Sequence, residues 1–195
     1  MVFSTTELIQ KYNNYENPNM KIVNETKKNN LIRINRGLYE DNKNTPGYLL
    51  CQYLKSPSYL SFEYVLSLYG LIPEMVVAYT CATTGERHTF KYSNHFGTYL
   101  YRDVPSRVFR YEVEQKIENG YAYFIASPEK ALCDLLYASK PLSSRKQLIS
   151  FLFDGLRLDE EMFIKLNLDK ILELCPLYKS TNLKLLALLV EDYYE

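Results

Sequence analysis

A block rich in β-branched and aromatic residues, from 75 to 126, lies between two stretches of helix-periodic sequence, and this arrangement most constrains the fold. Within it, "MVVAYTCAT", "RHTFKYSNHFGTYLYRDV" and "VFRYEVEQKIENGYAYFIAS" read as strands, broken at Thr84-Gly85, Phe96-Gly97 and Asn119-Gly120. Asn-Gly readily takes the positive φ angles of a tight turn, so residues 119–120 predict a hairpin. Before the block, 46–55 and 61–69 read as helices, with Ser61 as an N-cap and Gly70 as a stop. After Ser127-Pro128 the apolar period returns to helical. It predicts helices over Pro128–Ala138, Ser143–Asp154, Glu160–Leu166, Leu168–Leu174 and Thr181–Tyr194. Strands and helices that segregate along the chain predict an α+β fold with a body of antiparallel strands and C-terminal helices.

Residues 1–44 differ from the rest, being rich in Asn and Lys and poor in aromatics. Ser4 stands three residues before Glu7, the spacing of a capping box, and Leu8, Ile9 and Tyr12 form an apolar face behind it. Asn17-Pro18 starts a second helix with a capping side chain and a first-turn proline. On that helix Ile22, Val23 and Thr26 fall on one side, while Lys21, Asn24 and Lys28 form a stripe opposite. Leu31–Ile34 and Leu38–Glu40 flank a turn at Asn35-Arg36-Gly37, with Ile32 and Ile34 expected to face the core of this small lobe and Arg33 and Asn35 to face outward. The division is therefore a lobe over 1–44 and a larger α+β domain over 45–195.

Charge is balanced over the 195 residues, at 23 basic and 23 acidic. Over 11–38, however, Lys11, Lys21, Lys27, Lys28, Arg33 and Arg36 face only Glu16 and Glu25, a net +4. A helix following a helix and turn can enter a DNA major groove, and an arginine-bearing hairpin can reach phosphate or an adjacent groove. The same charges can also simply solvate a small lobe.

Other chemistries are less well supplied. Asp103 followed by Glu114-Gln115-Lys116 imitates the carboxylate pair and lysine of a Mg²⁺ nuclease, with Glu112, Glu114 and Lys116 on one strand face. Alternating Glu and Lys also describes any exposed strand. His88 and His95 have no partners at metal-ligand spacing, and neither "SLYGL" nor "TTGER" completes a phosphate loop. No enzymatic activity and no cofactor is expected. The 19 tyrosines read as packing residues more than base-stacking ones. Cys51, Cys81, Cys133 and Cys175 are too scattered for a zinc knuckle and read as buried, reduced thiols. There is no signal-peptide pattern, and the longest apolar run, Leu183–Val190, is too short to span a bilayer, so a soluble cytoplasmic protein is expected.

The segments "LIRINRGLYE", "SYLSFEYVLSLYGLIPE", "TCATTGERHTFKYSNHFGTYLYRDV" and "GYAYFIASPEKALCDLLY" occur in an order that resembles the AbiEi-like antitoxins of abortive-infection (type IV toxin–antitoxin) operons. The strongest matches are Arg36-Gly37-Leu38-Tyr39, Tyr59-Leu60-Ser61 and Ser127-Pro128-Glu129-Lys130-Ala131-Leu132, and the resemblance covers roughly residues 4–140. It implies a winged helix-turn-helix over Ser4–Glu40 that binds double-stranded operator DNA at inverted repeats and represses its own operon. A C-terminal domain would counter a nucleotidyltransferase toxin, directly or functionally. Lys21, Asn24, Lys27 and Lys28 become expected DNA contacts of the second helix, and Arg33 and Arg36 those of the wing. Many relatives carry a further helix before Ser4. With only Met1–Phe3 there, the lobe is expected to lean on the helices at 46–69.

Overall fold

The N-terminal lobe is built from β1 (Val2–Ser4), α1 (Thr5–Lys11), α2 (Pro18–Lys27), β2 (Ile32–Asn35) and β3 (Leu38–Glu40). The computed structural model describes residues 1–85 and 88–193. Both helix starts follow from local chemistry. The Glu7 amide donates to Ser4 Oγ at 3.2 Å while the Ser4 amide donates to Glu7 Oε2 at 2.6 Å, closing the capping box. At α2 the Met20 amide donates to Asn17 Oδ1 at 3.0 Å, with Pro18 in the first turn. Gly37 sits at φ +80° in the β2–β3 turn, a conformation few other residues adopt without strain. Its carbonyl accepts from the Thr5 amide at 2.8 Å, tying the turn to the start of α1. The strand β1 was not foreseen. It pairs antiparallel with β3, giving a three-stranded sheet in the order β1-β3-β2.

The body begins with a 3₁₀ turn, Gly47–Leu50, that runs into α3 (Cys51–Leu54) where a single helix was expected. Next come β4 (Ser58–Leu60), α4 (Phe62–Leu68), β5 (Ala78–Thr83), β6 (Phe90–Asn94), β7 (Gly97–Asp103), β8 (Val113–Glu118) and β9 (Tyr121–Ala126). The tail comprises α5 (Pro128–Ala138), α6 (Arg145–Ile149) continued by a π-helical segment over 150–155, α7 (Glu160–Ile164), α8 (Leu168–Tyr178) and α9 (Thr181–Glu191). The expected strand start at 108–112 is instead the end of a short 3₁₀ turn and a loop. Arg87, in the second strand-like run and in "TTGER" with Glu86, and Tyr194, at the end of the last expected helix, lie outside the described residues.

Among the described residues the body's strands form one sheet in the order β6-β7-β5-β4-β9-β8. The fold is α+β, but the sheet is mixed and not antiparallel throughout. β4 runs parallel to β9 and β5 parallel to β7, while the β6–β7 and β8–β9 hairpins are antiparallel. The unforeseen strand is β4. Only three residues long and wholly buried, it holds a central place, and Leu60 is flanked by Cys81 and Ile125.

Two segments distant in sequence, Tyr59–Ser61 and Ser127–Leu132 with the rest of its helix, meet beneath this strand. Tyr59 Oη and Ser61 Oγ donate to Asp134 Oδ2 at 2.9 and 2.7 Å. Lys130 Nζ donates to Asp134 Oδ1 at 2.8 Å and to Tyr178 Oη at 2.6 Å, and Tyr178 in turn donates to Asp134 Oδ1 at 2.6 Å. Lys130 and Asp134 are fully enclosed, and these polar partners replace the water that burial removes. Burial beside the Asp134 carboxylate pushes the Tyr59 and Tyr178 hydroxyls well above their ordinary range. Ser61 occupies the N-cap position of α4 but makes no cap bond, because its hydroxyl serves Asp134.

Tyrosine hydroxyls fasten the helix over 47–54 to the sheet: Tyr99 donates to the Gly47 carbonyl at 3.1 Å and Tyr101 to that of Cys51 at 2.7 Å. Gly47 is required by close approach, since a Cβ there would lie 2.3 Å from the Phe96 carbonyl and 2.4 Å from the Tyr79 ring. All four cysteines are buried and free. Burial, and then a neighbouring thiol, pushes Cys51 and Cys133 well above the ordinary thiol range, which leaves them unreactive. Among the described residues no helix is long and apolar enough to cross a membrane.

Candidate nucleic-acid interface

The lobe's sheet has two differently used faces. Strand register places Phe3, Tyr39 and Arg33 on one face and Val2, Glu40 and Ile32 on the other. The first face meets the helices, where Leu8, Ile22 and Leu31 form a small core edged by Phe3, Tyr12 and Tyr39. The second meets the body: Ile34 is part of the large core, and Val2, Ile32 and Leu38 pack against it. Ile32 and Ile34 therefore face the body, not the lobe's own core as alternation along the strand suggested. A register shift between Arg33 and Asn35 turns Asn35 the same way.

The seat is the body's sheet, reached through polar contacts at its edge. Asn94 Nδ2 donates to the Ile34 carbonyl at 3.1 Å, Tyr92 Oη donates to Asn35 Oδ1, and β2 lies against the edge strand β6. At the other end Tyr121 Oη donates to the buried Glu40 carboxylate at 2.8 Å, and burial pushes the Tyr121 hydroxyl up to about 12.

Helix α2 shows that its outer face was only partly foreseen. Ile22 is buried and Thr26 turns inward, donating to the Ile22 carbonyl at 2.9 Å. Val23, expected beside them, is 45% exposed, and Met20 is 55% exposed. Lys21 is held within the lobe. Its ammonium meets Glu25 at 2.9 Å and sits 4.7 Å from the Tyr15 ring centroid. The hydrogen bond to Glu25 raises the Lys21 pKa, and the Glu25 carboxyl is held down first by the Asn30 amide and then by Lys21. The face most open to solvent carries Met20, Val23, Asn24 and Lys27, with Lys28 at the C-cap.

The six expected contact residues thus fall into three groups. Lys21 is engaged internally, Asn24, Lys27 and Lys28 are exposed along and at the end of α2, and Arg33 and Arg36 are exposed on the hairpin. The hairpin pair is brought together around Asn35: Arg33 Nε donates to the Asn35 carbonyl at 3.3 Å, and the Arg36 amide donates to Asn35 Oδ1 at 2.6 Å. Beyond them opens a cleft of about 480 Å³ that Lys91, Tyr92, Ser93 and Asn94 of β6 also line. Sequence reading missed Lys91, since nothing local links strand β6 to a hairpin more than fifty residues earlier.

The nuclease arrangement does not assemble. Asp103 ends β7 and Glu114 and Lys116 lie on β8, with β5, β4 and β9 between them in the sheet. Four strand spacings of roughly 4.8 Å separate them by about 19 Å, too far to share an ion. Glu112, expected on their strand face, precedes β8 at φ +51° and binds Lys170 at 2.6 Å. His88 is exposed, and His95 Nε2 lies 3.1 Å from the Lys43 carbonyl oxygen. Among the described residues no group of three or more His, Cys, Asp or Glu side chains is placed to hold a metal. In comparisons with known proteins, no family model and no curated protein matches the chain.

Proposed function

We propose that the chain is a DNA-binding regulator in which residues 1–44 act as a winged helix-turn-helix, α2 entering the major groove and the β2–β3 hairpin serving as the wing. One observation carries this reading. Lys27, Lys28, Arg33 and Arg36 are exposed on the lobe and belong to none of the ion pairs among the described residues. Cations outside ion pairs are available to displace the counterions of a phosphate backbone. The motif order resembling AbiEi-like antitoxins supports a fuller role. The protein would act in the cytoplasm without catalytic activity, repress its own operon through inverted repeats and counter a nucleotidyltransferase toxin encoded beside it, directly or functionally. In that reading residues 45–195 serve the antitoxin task.

The test is binding to a duplex from upstream of the chain's own gene, followed across salt concentration. Wild-type protein is expected to bind with a steep salt dependence. The double variant Lys28→Ala, Arg36→Ala is expected to lose about tenfold or more in affinity and close to two units of salt slope, with stability changed by no more than about 0.5 kcal/mol. Unchanged binding by the double variant would remove these residues from the site.

A second reading draws on the exposed Met20 and Val23, which give the outer face of α2 an apolar strip suited to a protein partner. If the wild-type protein fails to retain any duplex, that reading takes over and α2 becomes a protein-docking helix.

A further inference from the structure

We infer that the cleft between the hairpin and β6 is a phosphodiester site in which Lys91, a residue of the body, completes a cationic triad with Arg33 and Arg36. The inference rests on the DNA-binding reading above and extends its contact surface beyond the lobe. The cleft is lined by three basic residues and no acidic one, and none of the three is in an ion pair among the described residues. In a chain with equal numbers of basic and acidic residues, such a gathering from two segments separated by more than fifty positions marks a local positive field.

The cleft is also held in shape. Asn94 and Tyr92 bond to Ile34 and Asn35 across it, so the strand that carries Lys91 is fastened beside the hairpin that carries the two arginines. Guanidinium forks suit phosphate oxygens, and a lysine adds a compact charge beside them. The remaining lining indicates which phosphate this is. Tyr92 is the one aromatic residue lining it, so the cleft lacks the succession of stacking rings that single-stranded nucleic acid uses. An open polar cleft beside the wing fits the backbone of a duplex whose groove the hairpin flanks.

This arrangement also accounts for why the lobe is seated on β6. A wing that swung freely would separate the two arginines from Lys91, whereas the Tyr92 and Asn94 bonds hold the three together. Body and lobe would then grip one backbone jointly.

The experiment measures duplex binding by full-length protein, by fluorescence anisotropy between about 50 and about 200 mM salt, using the upstream duplex and an unrelated duplex of equal length. Lys91→Ala is expected to weaken both duplexes by a similar several-fold factor and to lower the salt slope by about 0.9, the signature of one lost phosphate contact. Lys146→Ala, on α6, serves as the control for loss of one positive charge and is expected to change neither quantity. Lys91→Glu is expected to weaken binding further, and circular dichroism melts should show both Lys91 variants folded as the wild type. If Lys91→Ala binds like the wild type while Arg36→Ala is weakened, the triad is overturned and the winged reading stands. If the wild type binds no duplex, both fall. Saturable binding of inorganic phosphate that Lys91→Ala abolishes, with duplex binding unaltered, would identify a free-anion site and also overturn the inference.

Discussion

Lobe and body use the same residue types in opposite ways. In the body Lys130 is enclosed among Asp134, Tyr59 and Tyr178, and each polar group is satisfied by another. In the lobe Lys27, Lys28, Arg33 and Arg36 point to water, and the separate core beneath them amounts to Leu8, Ile22 and Leu31. A lysine facing Asp134 contributes to holding helices together, while a lysine without a carboxylate beside it remains available to an external anion. The larger core resides in one region and most of the candidate contact charge in the other, and the lobe gains stability by resting its sheet on the body through Ile34 and its neighbours.

The largest expected effect tests the body. Asp134→Ala leaves the enclosed Lys130 without its carboxylate partner, and should destabilise the fold by about 3–5 kcal/mol, read as a drop in the denaturation midpoint. A loss below about 1 kcal/mol would mean that the network contributes little and that the contrast is misdrawn. Leu8→Ala should have a smaller and local effect. It removes a fully buried side chain from the three-residue core, toward the lower end of the ~2–5 kcal/mol range for such truncations. Hydrogen exchange should then quicken in α1 and α2 while β4 and α5 stay protected. Uniform quickening throughout the chain would show that lobe and body unfold as one unit.

The smallest effect concerns the capping box. Bonds from the Ser4 amide and then the Ser4 hydroxyl hold the Glu7 carboxyl below the usual glutamate range. A depressed carboxylate pKa contributes stability above its unfolded value, and that contribution is lost as pH falls through the lower folded value. The start of α1 should therefore loosen in acid below the ordinary glutamate range, seen as faster exchange at the Ser4 amide. Glu7→Gln should remove most of that pH dependence.

Where the signal was local, the sequence was readable. Ser127 and Pro128 announced α5 at its true start, and Asn119-Gly120 became the β8–β9 turn. Ser4 and Glu7 formed their box as spaced. Where the deciding partner was distant in sequence, the reading failed. The strand β4 is three residues between helices, and only its pairing with the distant β5 and β9 makes it a strand. Lys21 lay on a polar stripe by helical period, yet Glu25 and Tyr15 hold it in. Of the candidate interface, α2 and the arginine hairpin were legible, whereas the outward turn of Val23 and the arrival of Lys91 depend on tertiary packing that no local period encodes.

The order in which the sheet is assembled has a consequence for synthesis. Residues 1–40 emerge first, carrying the cations, while their seat on β6 comes some fifty residues later and Tyr121 later still. At translation speeds of roughly 5–20 residues per second the nascent lobe waits several seconds with three buried side chains to hold it. The central strand β4 must likewise wait for β9 before Leu60 meets Ile125. The newborn chain thus displays its positive charges before their seat exists, and the lobe is expected to become fixed only once β9 is available to it.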